Sequence, residues 1–345
     1  MKIGIIGATG YGGADLLRLL WQHPKVSEVI TYTSSQQDLH IHESYPHLIS
    51  IYEQKLEELN ADKIAEDVNV VFLATPPGVS SELSATLARS GAQVIDLSGD
   101  LRLANPTIYE AWYKRRSAPV ELLNKAVYGL TEWNRDQIRQ AKIISNPGCY
   151  PTATLLGLAP LIKAQLVEPD SIIIDAKSGT SGAGRSPSLM THFSEMNENF
   201  KAYQVNTHKH VPEIEQVLHS WNEQIDTVTF QPHLVPMVRG IMATIYAKST
   251  KPLTEDYLRK LYQTSYQEDR FVRIRPSGLF PATKEVYGSN FCDIGLTYDE
   301  RTGRITIVSV IDNVVKGASG QAIQNWNVMN GWDESTGLNV APTYP

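Results

Sequence analysis

Hydrophobic positions in the first half of the chain fall in short unbroken runs separated by helical patterns. Residues 2–6 form a short apolar strand that ends in glycines, and residues 14–21 (ADLLRLLW) form a helix with leucines on more than one side, stopped by His23 and Pro24. β-Branched residues 29–33 read as a second strand, 56–67 as a helix, 68–74 (VNVVFLA) as a strand punctuated by Pro76, Pro77 and Gly78. A helix over 81–89, closed by Gly91, and a strand over 94–97 continue the rhythm. Strands that are apolar at every position are those buried on both faces, so this half is expected to be a Rossmann-type parallel sheet covered by helices.

The second half has another texture. Residues 172–175, 227–230, 240–247, 271–275, 291–296 and 304–311 read as strands, several alternating apolar and polar with period two. Helices are fewer, chiefly 253–262 and one near 212–218. The pattern predicts an α+β domain with a mixed or antiparallel sheet. After Asp312 the chain turns small and polar, then helical. The fold class is therefore α/β with an added α+β domain. The 345 residues fit two domains of roughly 150 residues each. The boundaries are expected to leave 1–148 and 314–345 in the first domain and 149–313 in the second.

Charge and cysteine content narrow the classes. A net charge of −6 argues against a non-specific nucleic-acid binder, which needs a basic face. No apolar run approaches the roughly 18 residues of a membrane helix, so no membrane partner is expected. The weakly signal-like start is broken by glycines and followed by Asp15 and Arg18, against export. Two distant cysteines, Cys149 and Cys292, give neither a disulfide framework nor a zinc spacing and fit a reducing cytoplasm.

The first strand runs into Gly7, Ala8, Thr9, Gly10, Tyr11, Gly12 and Gly13 before the first helix. A tight turn, close backbone approach and free N–H groups at a helix start are what a dinucleotide pyrophosphate requires. The second strand ends in hydroxyls, including Ser34 and Ser35, with no carboxylate until Asp38. A carboxylate would repel a 2′-phosphate whereas hydroxyls donate to one, so the expected cofactor is NADP.

Cys149 stands between a strand-like stretch and an apolar helix, with Pro151 suited to the first helical position. A thiol at a helix N-terminus is biased towards thiolate, and the same N–H groups stabilise an oxyanion. Cys292, inside a strand, reads instead as a small buried hydrophobe. A thiolate beside a nicotinamide points to one chemistry: attack on an activated acyl group, a thioester, and reduction to an aldehyde, with an acid/base group assisting. His208 and His210, two apart on an extended segment, are candidates for that group, with Glu213 able to orient an imidazole. No third ligand is spaced near them, so no metal is expected. Arg102, after the strand at 94–97, and Arg185, in a Gly/Ser/Thr-rich loop that also holds Ser178 and Gly179, are candidates to hold a phosphate or carboxylate.

The segment from Ile144 to Ala153, through Asn146, Cys149 and Pro151, with Gly157 and Pro160 following, resembles the active-site signature of the N-acetyl-gamma-glutamyl-phosphate reductase family. GATGYGG, KSGTSGAGR, HKHVPEI and DNVVKGASGQA resemble that family in the same order, so the likeness spans essentially the whole chain. It implies NADPH-dependent reduction of N-acetylglutamyl phosphate to the semialdehyde and inorganic phosphate, a step of arginine synthesis, on a two-domain fold like that of aspartate-semialdehyde dehydrogenase. It further implies Cys149 as nucleophile, His210 as acid/base with Glu213 as its partner, and Arg102 as a phosphate ligand. Ser178, Gly179 and Asn313 would lie near the nicotinamide and Arg239 near the substrate, in a homodimer or homotetramer. Asn146, Arg185 and His208 are further candidates for the substrate side. Where aspartate-semialdehyde dehydrogenases carry their acid/base histidine after a Pro-x-x-x-Gly, this chain has Ile241, so its base must come from elsewhere. A reductase of the one-carbon-longer aminoadipyl phosphate and a non-catalytic NADP sensor are the alternatives.

Overall fold

The structure, a computed structural model, describes residues 1–89 and 91–344. The chain divides into two compact units: residues 1–148 with 318–339, and residues 149–317 with the stretch from 340 onward.

In the first unit the elements follow as β1 (Lys2–Ile6), α1 (Tyr11–Leu20), β2 (Glu28–Thr33), α2 (Ile41–Ser44), β3 (Glu57–Glu58), α3 (Ala61–Asp67), β4 (Val70–Leu73), α4 (Ser80–Arg89), β5 (Gln93–Asp96), α5 (Pro106–Tyr113), α6 (Val120–Leu123), β6 (Ala126–Tyr128), α7 (Thr131–Gln140) and β7 (Ile143–Ser145). All seven strands run parallel in the order β3-β2-β1-β4-β5-β7-β6. Strand order reverses between β1 and β4, and the crevice beyond their carboxyl ends is where such sheets bind ligands. The helix expected over 56–67 is instead a two-residue strand and a shorter helix. Asn60 separates them because its side-chain oxygen caps α3 by accepting from the Lys63 N–H.

The second unit contains α8 (Cys149–Lys163), β8 (Ile173–Ser178), α9 (Phe193–Met196), β9 (Lys201–Ala202), α10 (Val211–Trp221), β10 (Thr229–Leu234), β11 (Ile241–Lys248), α11 (Glu255–Ser265), β12 (Val272–Ile274), β13 (Cys292–Asp299) and β14 (Arg304–Ile311). Its sheet is mixed, ordered β12-β13-β14-β11-β8-β10-β9, with only the β8–β10 and β12–β13 pairs parallel. One sheet face packs on α8, closely enough that a Cβ on Gly157 would stand 3.1 Å from Ile245. The opposite face, with Asp175, Lys177, His233, Met242, Thr244 and Tyr246, stays half-buried.

Apolar on all sides, α8 is buried almost throughout. Pro160 lies inside it and has no N–H for the Leu156 carbonyl. Tyr266, the C-cap of α11, takes over and donates from Oη to Leu156 O, while Tyr262, one turn earlier on α11, donates to Gly157 O, each at 2.5 Å. A π-helical turn (Val315–Ser319) then leads into α12 (Gly320–Met329). This last helix packs against α7 and α1 in the first unit, its Gln321 and Asn325 amides donating to the Gly129 carbonyl.

The last residues do not follow α12 into the first unit, where the sequence reading put the whole of 314–345. The Thr343 N–H donates to Tyr287 O, and Lys284 stands 5.9 Å from the Tyr344 ring, which ties this stretch to the second unit. Pro345 lies outside the described residues. Among the described residues no helix is long and apolar enough to cross a membrane.

Candidate active site

The glycine loop is shaped by steric need at two of its positions. Gly7 has φ +89, and a Cβ there would stand 2.4 Å from Ala74 O, because the loops after β1 and β4 touch at the switch point. A Cβ on Gly13 would stand 2.3 Å from Gly7 O. Around Gly12 nothing lies within 4 Å of that position, and around Gly10 only Gly7 O does, so both leave open space over the backbone. Gly10 is the N-cap of α1, no side chain caps that end, and its first turn holds no carboxylate. An open backbone cradle at an uncapped helix start fits a pyrophosphate. Thr9 is fastened by its carbonyl, which accepts from Tyr45 Oη, while the Tyr11 side chain is exposed. Ser34 and Ser35 are exposed just past the end of β2.

The stretch after β5 is acidic at its core. Asp100 accepts from the Gly78 and Ser81 N–H groups, from Ser80 Oγ and from Tyr109 Oη, so this chain's own carboxylate caps the start of α4. Asp96, fully buried, has its carboxyl pushed up to about 6, chiefly by burial, with two hydrogen bonds from Ser98 opposing the rise. Arg102 is largely buried and donates from Nε to Asn146 O and from Nη2 to Leu97 O, both at 2.9 Å. Asn146 is buried, its amide donating to Ala318 O and accepting from Asn325. In this structure Arg102 and Asn146 brace the ends of β5 and β7.

In the second unit Cys149 is the first residue of α8 and partly exposed. Pro151 stands third in the helix rather than first, still within the turn whose N–H groups have no intrahelical partner. Gly317, in the π-helical turn, presses against the cysteine: a Cβ there would stand 2.7 Å from Cys149 Cβ. Cys292 is fully buried in β13 with its sulfur 3.4 Å from Ser309 Oγ.

Next to the thiol, Tyr150 organises an aromatic wall. Its ring centroid lies 5.4 Å from that of His208, 6.0 Å from His210 and 5.3 Å from Phe230. Tyr203 Oη donates to Tyr150 Oη at 3.1 Å, and Tyr150 Oη donates to His233 O at 3.3 Å. Burial lifts both phenols well above their ordinary range, and the charge of Cys149 adds to the rise in each. His208 Nδ1 accepts the His210 N–H at 3.1 Å, and its Nε2 lies 3.5 Å from Tyr203 Oη. Both ring nitrogens of His208 thus face protein groups. His210 is the N-cap of α10, and fully buried Glu213 follows in its first turn, three residues on and so on the same side.

Three loops complete this unit's polar surroundings. Asn313 accepts the Gly240 N–H at 2.7 Å and donates to Ser181 Oγ at 3.0 Å. The Gly179 N–H donates to Gly240 O, and a Cβ on Gly179 would stand 2.6 Å from Val238 O. Ser178 Oγ donates to Gly179 O. Arg239 Nη1 lies 3.5 Å from the buried Asp312 carboxylate. Arg185 is exposed beyond these loops. Among the described residues no three His, Cys, Asp or Glu side chains group as a metal site. Sequence reading had not singled out Gly317, Tyr150 or Tyr203. The first two lie inside motifs already noted, whereas nothing in the neighbourhood of Tyr203 signals its contact.

Two family models cover the chain: the semialdehyde dehydrogenase NAD binding domain over residues 2–141 and the semialdehyde dehydrogenase dimerisation domain over residues 149–313. Aspartate semialdehyde dehydrogenase II of Vibrio cholerae, complexed with ASA, has a similar fold, with a TM-score of 0.72 at 18% identity over 96% of this chain and 98% of that one. The Candida albicans aspartate semialdehyde dehydrogenase with NADP gives 0.69 at 15% identity over 95% and 98%. Fold and domain models together define the class as the semialdehyde dehydrogenases. Within it, proteins called N-acetyl-gamma-glutamyl-phosphate reductase match end to end, from Geobacillus sp. (strain WCH70) at 62% identity and Bacillus subtilis (strain 168) at 57%, each over 100% of both chains. This chain belongs to the N-acetyl-gamma-glutamyl-phosphate reductase family.

Proposed function

We propose that the chain reduces N-acetyl-gamma-glutamyl phosphate to N-acetylglutamate semialdehyde and inorganic phosphate with NADPH, in the cytoplasmic synthesis of arginine. The observation that carries this reading is a partly exposed thiol at the first position of a 15-residue helix, beside a wall of two histidines and two tyrosines. The first unit takes the cofactor. Its glycine loop cradles the pyrophosphate, and Ser34 and Ser35 donate to the 2′-phosphate. The second unit performs the acyl chemistry.

Cys149, as thiolate, adds to the acyl carbon. The bond from that carbon to the phosphate oxygen breaks, phosphate leaves with the electron pair, and a thioester forms on Sγ. The start of α8 directs its N–H groups at the developing oxyanion. NADPH, when bound, supplies the hydride that reduces the acyl carbon. His210, as imidazolium, gives a proton to the acyl oxygen, which leaves a thiohemiacetal on Cys149. It takes that proton back as the carbon–sulfur bond breaks and the aldehyde departs. Glu213 orients the imidazole and stabilises its charged form. Arg102, Asn146, Arg185 and Arg239 are the candidates for phosphate and carboxylate binding, and Ser178, Gly179 and Asn313 shape the surroundings of the nicotinamide.

The half-buried open face of the mixed sheet supports self-association through the second unit, as a homodimer or homotetramer. The reading is tested by NADP reduction with N-acetylglutamate semialdehyde in the presence and absence of phosphate, beside the aminoadipate and aspartate semialdehydes. Phosphate-dependent preference for the first is expected. Equal rates without phosphate or arsenate would discard the acyl-phosphate mechanism, and preference for another aldehyde would move the substrate.

A further inference from the structure

We propose that His208 is a positioning residue, permanently neutral with its proton on Nε2, that fixes His210 and the start of α8 through a directed hydrogen-bond chain without itself exchanging a proton with substrate. The inference rests on the acyl-phosphate reading above and deepens it.

The chain's direction is forced from both ends. At one end the His210 N–H points at His208 Nδ1, 3.1 Å away, and only an unprotonated nitrogen accepts it. A neutral ring then carries its hydrogen on Nε2. At the other end stands the His233 carbonyl, which only accepts. Tyr150 Oη spends its one proton there, at 3.3 Å. Tyr203 Oη spends its own on Tyr150, at 3.1 Å. Tyr203 is left as an acceptor facing His208 Nε2, 3.5 Å away, and that nitrogen is the one holding a hydrogen. Ser178, the other hydroxyl within reach of Tyr150, spends its proton on Gly179 O, so neither tyrosine of the chain is left to choose its direction.

The surroundings keep the ring in that state. His208 is 5% exposed and walled by Tyr150, Tyr203, Phe230 and His210. The titratable and charged groups facing it are Tyr150 from α8, Tyr203 beyond β9, and Lys209 and His210 from its own segment. Among the described residues no carboxylate bonds to the ring to stabilise an imidazolium. Protonation at Nδ1 would set two N–H donors against each other. Burial, with Lys209 adding to it, lowers the imidazole pKa to about 3. With its lone pair committed to the His210 backbone, His208 cannot take a proton from substrate, and the acid/base role passes to His210.

The test uses the full-length protein labelled with 15N at histidine, with the His208 signals assigned by their loss in His208→Asn. One pyridine-like and one pyrrole-like ring nitrogen, in the Nε2–H pattern and unchanged from pH 5.5 to 9, is the expected result. The opposite tautomer, or a titration midpoint in that range, overturns the proposal. Tyr203→Phe should shift the His208 Nε2 resonance and spare those of the distant histidines; an unmoved resonance overturns the chain. In His208→Asn an amide oxygen can still accept the His210 N–H, so kcat should stay within about tenfold and the acid/base limb of its pH profile should persist. His208→Phe should lose about a hundredfold in kcat with the limb still present, whereas His210→Asn should abolish the limb. Loss of the limb in His208→Asn would make His208 the base. The resonance measurement needs no substrate, so its failure sinks this inference alone. Absence of phosphate-dependent turnover in the unsubstituted enzyme would sink the reductase reading instead.

Discussion

The two units build their candidate sites from different material. In the first, the glycine loop offers backbone: Gly7 and Gly13 are glycines because atoms stand where a Cβ would go, and Gly10 and Gly12 leave the helix start open. In the second, the work falls to side chains from separated stretches, with Cys149 and Tyr150 on α8, Tyr203 beyond β9, and His208 and His210 before α10. A backbone site tolerates change in side-chain chemistry but not in shape. A side-chain site tolerates small changes in shape but not in chemistry. The two should therefore fail in different ways.

The largest expected effect is that of Cys149→Ser. Turnover should fall by about a thousandfold or more while the Kd for NADP holds, because the proposed nucleophile and the proposed nucleotide cradle lie in different units. Loss of NADP binding in that variant would erase the distinction. His210→Asn should cost about a hundred- to ten-thousandfold in the chemical step, again without loss of NADP binding, as single-turnover kinetics would report. Gly13→Val is the converse. Its side chain would meet the Gly7 carbonyl and the Ala8 backbone, so NADP affinity should fall by about a hundredfold, roughly 2.7 kcal/mol. Alkylation of Cys149 by iodoacetamide should keep its rate in that variant; a slowed rate would mean that the turn supports the thiol as well.

Two smaller effects concern stability. The His208 pKa is depressed to about 3 in the folded chain, against about 6.5 unfolded. Between those values the unfolded state binds the extra proton, so this contribution is fully present above about pH 6.5 and is lost as pH falls towards 3. Denaturant titrations should show a slope near 1.4 kcal/mol per pH unit in that window from this one group. His208→Asn should remove that increment, and an unchanged slope would show that the ring is not protected from protonation. Tyr266→Phe leaves the Leu156 carbonyl without its donor inside a buried helix. It should cost about 1–3 kcal/mol in stability with turnover kept, and a matching loss of activity would show that α8 transmits the damage to Cys149.

Much of the architecture was legible in the chain. Continuous apolar strands announced the parallel sheet, alternating ones the mixed sheet, and the glycine spacing the tight, open turn before α1. What escaped was set by tertiary context. Residues 56–67 carry a helical pattern, yet Asn60 caps a shorter helix and Glu57 and Glu58 pair with β2. Pro160 reads as a helix breaker, but the tyrosine hydroxyls of α11 and its C-cap, a hundred residues on, let α8 run through it. In the stretch holding Arg102 the sequence offered the arginine as a candidate anion ligand, and gave no sign that Asp96 and Asp100 are the buried groups that organise the local bonds. Tyr203 had no local sign, since its partners are 53 residues before it and 5 after it.

The side chain of Asn313 has a mechanical meaning. One amide grips the loop before β11 and the turn after β8, and the Gly179–Gly240 bond closes the triangle. Three stretches lying more than a hundred residues apart at their extremes are thereby riveted into one plate. Loops tied at three points move together rather than separately. If the acyl substrate is bound beside them, as proposed above, selection between chains that differ by one carbon would fall to the side chains around the rim of the plate, and exchanging those, rather than loosening the loops, would be the route to a changed preference.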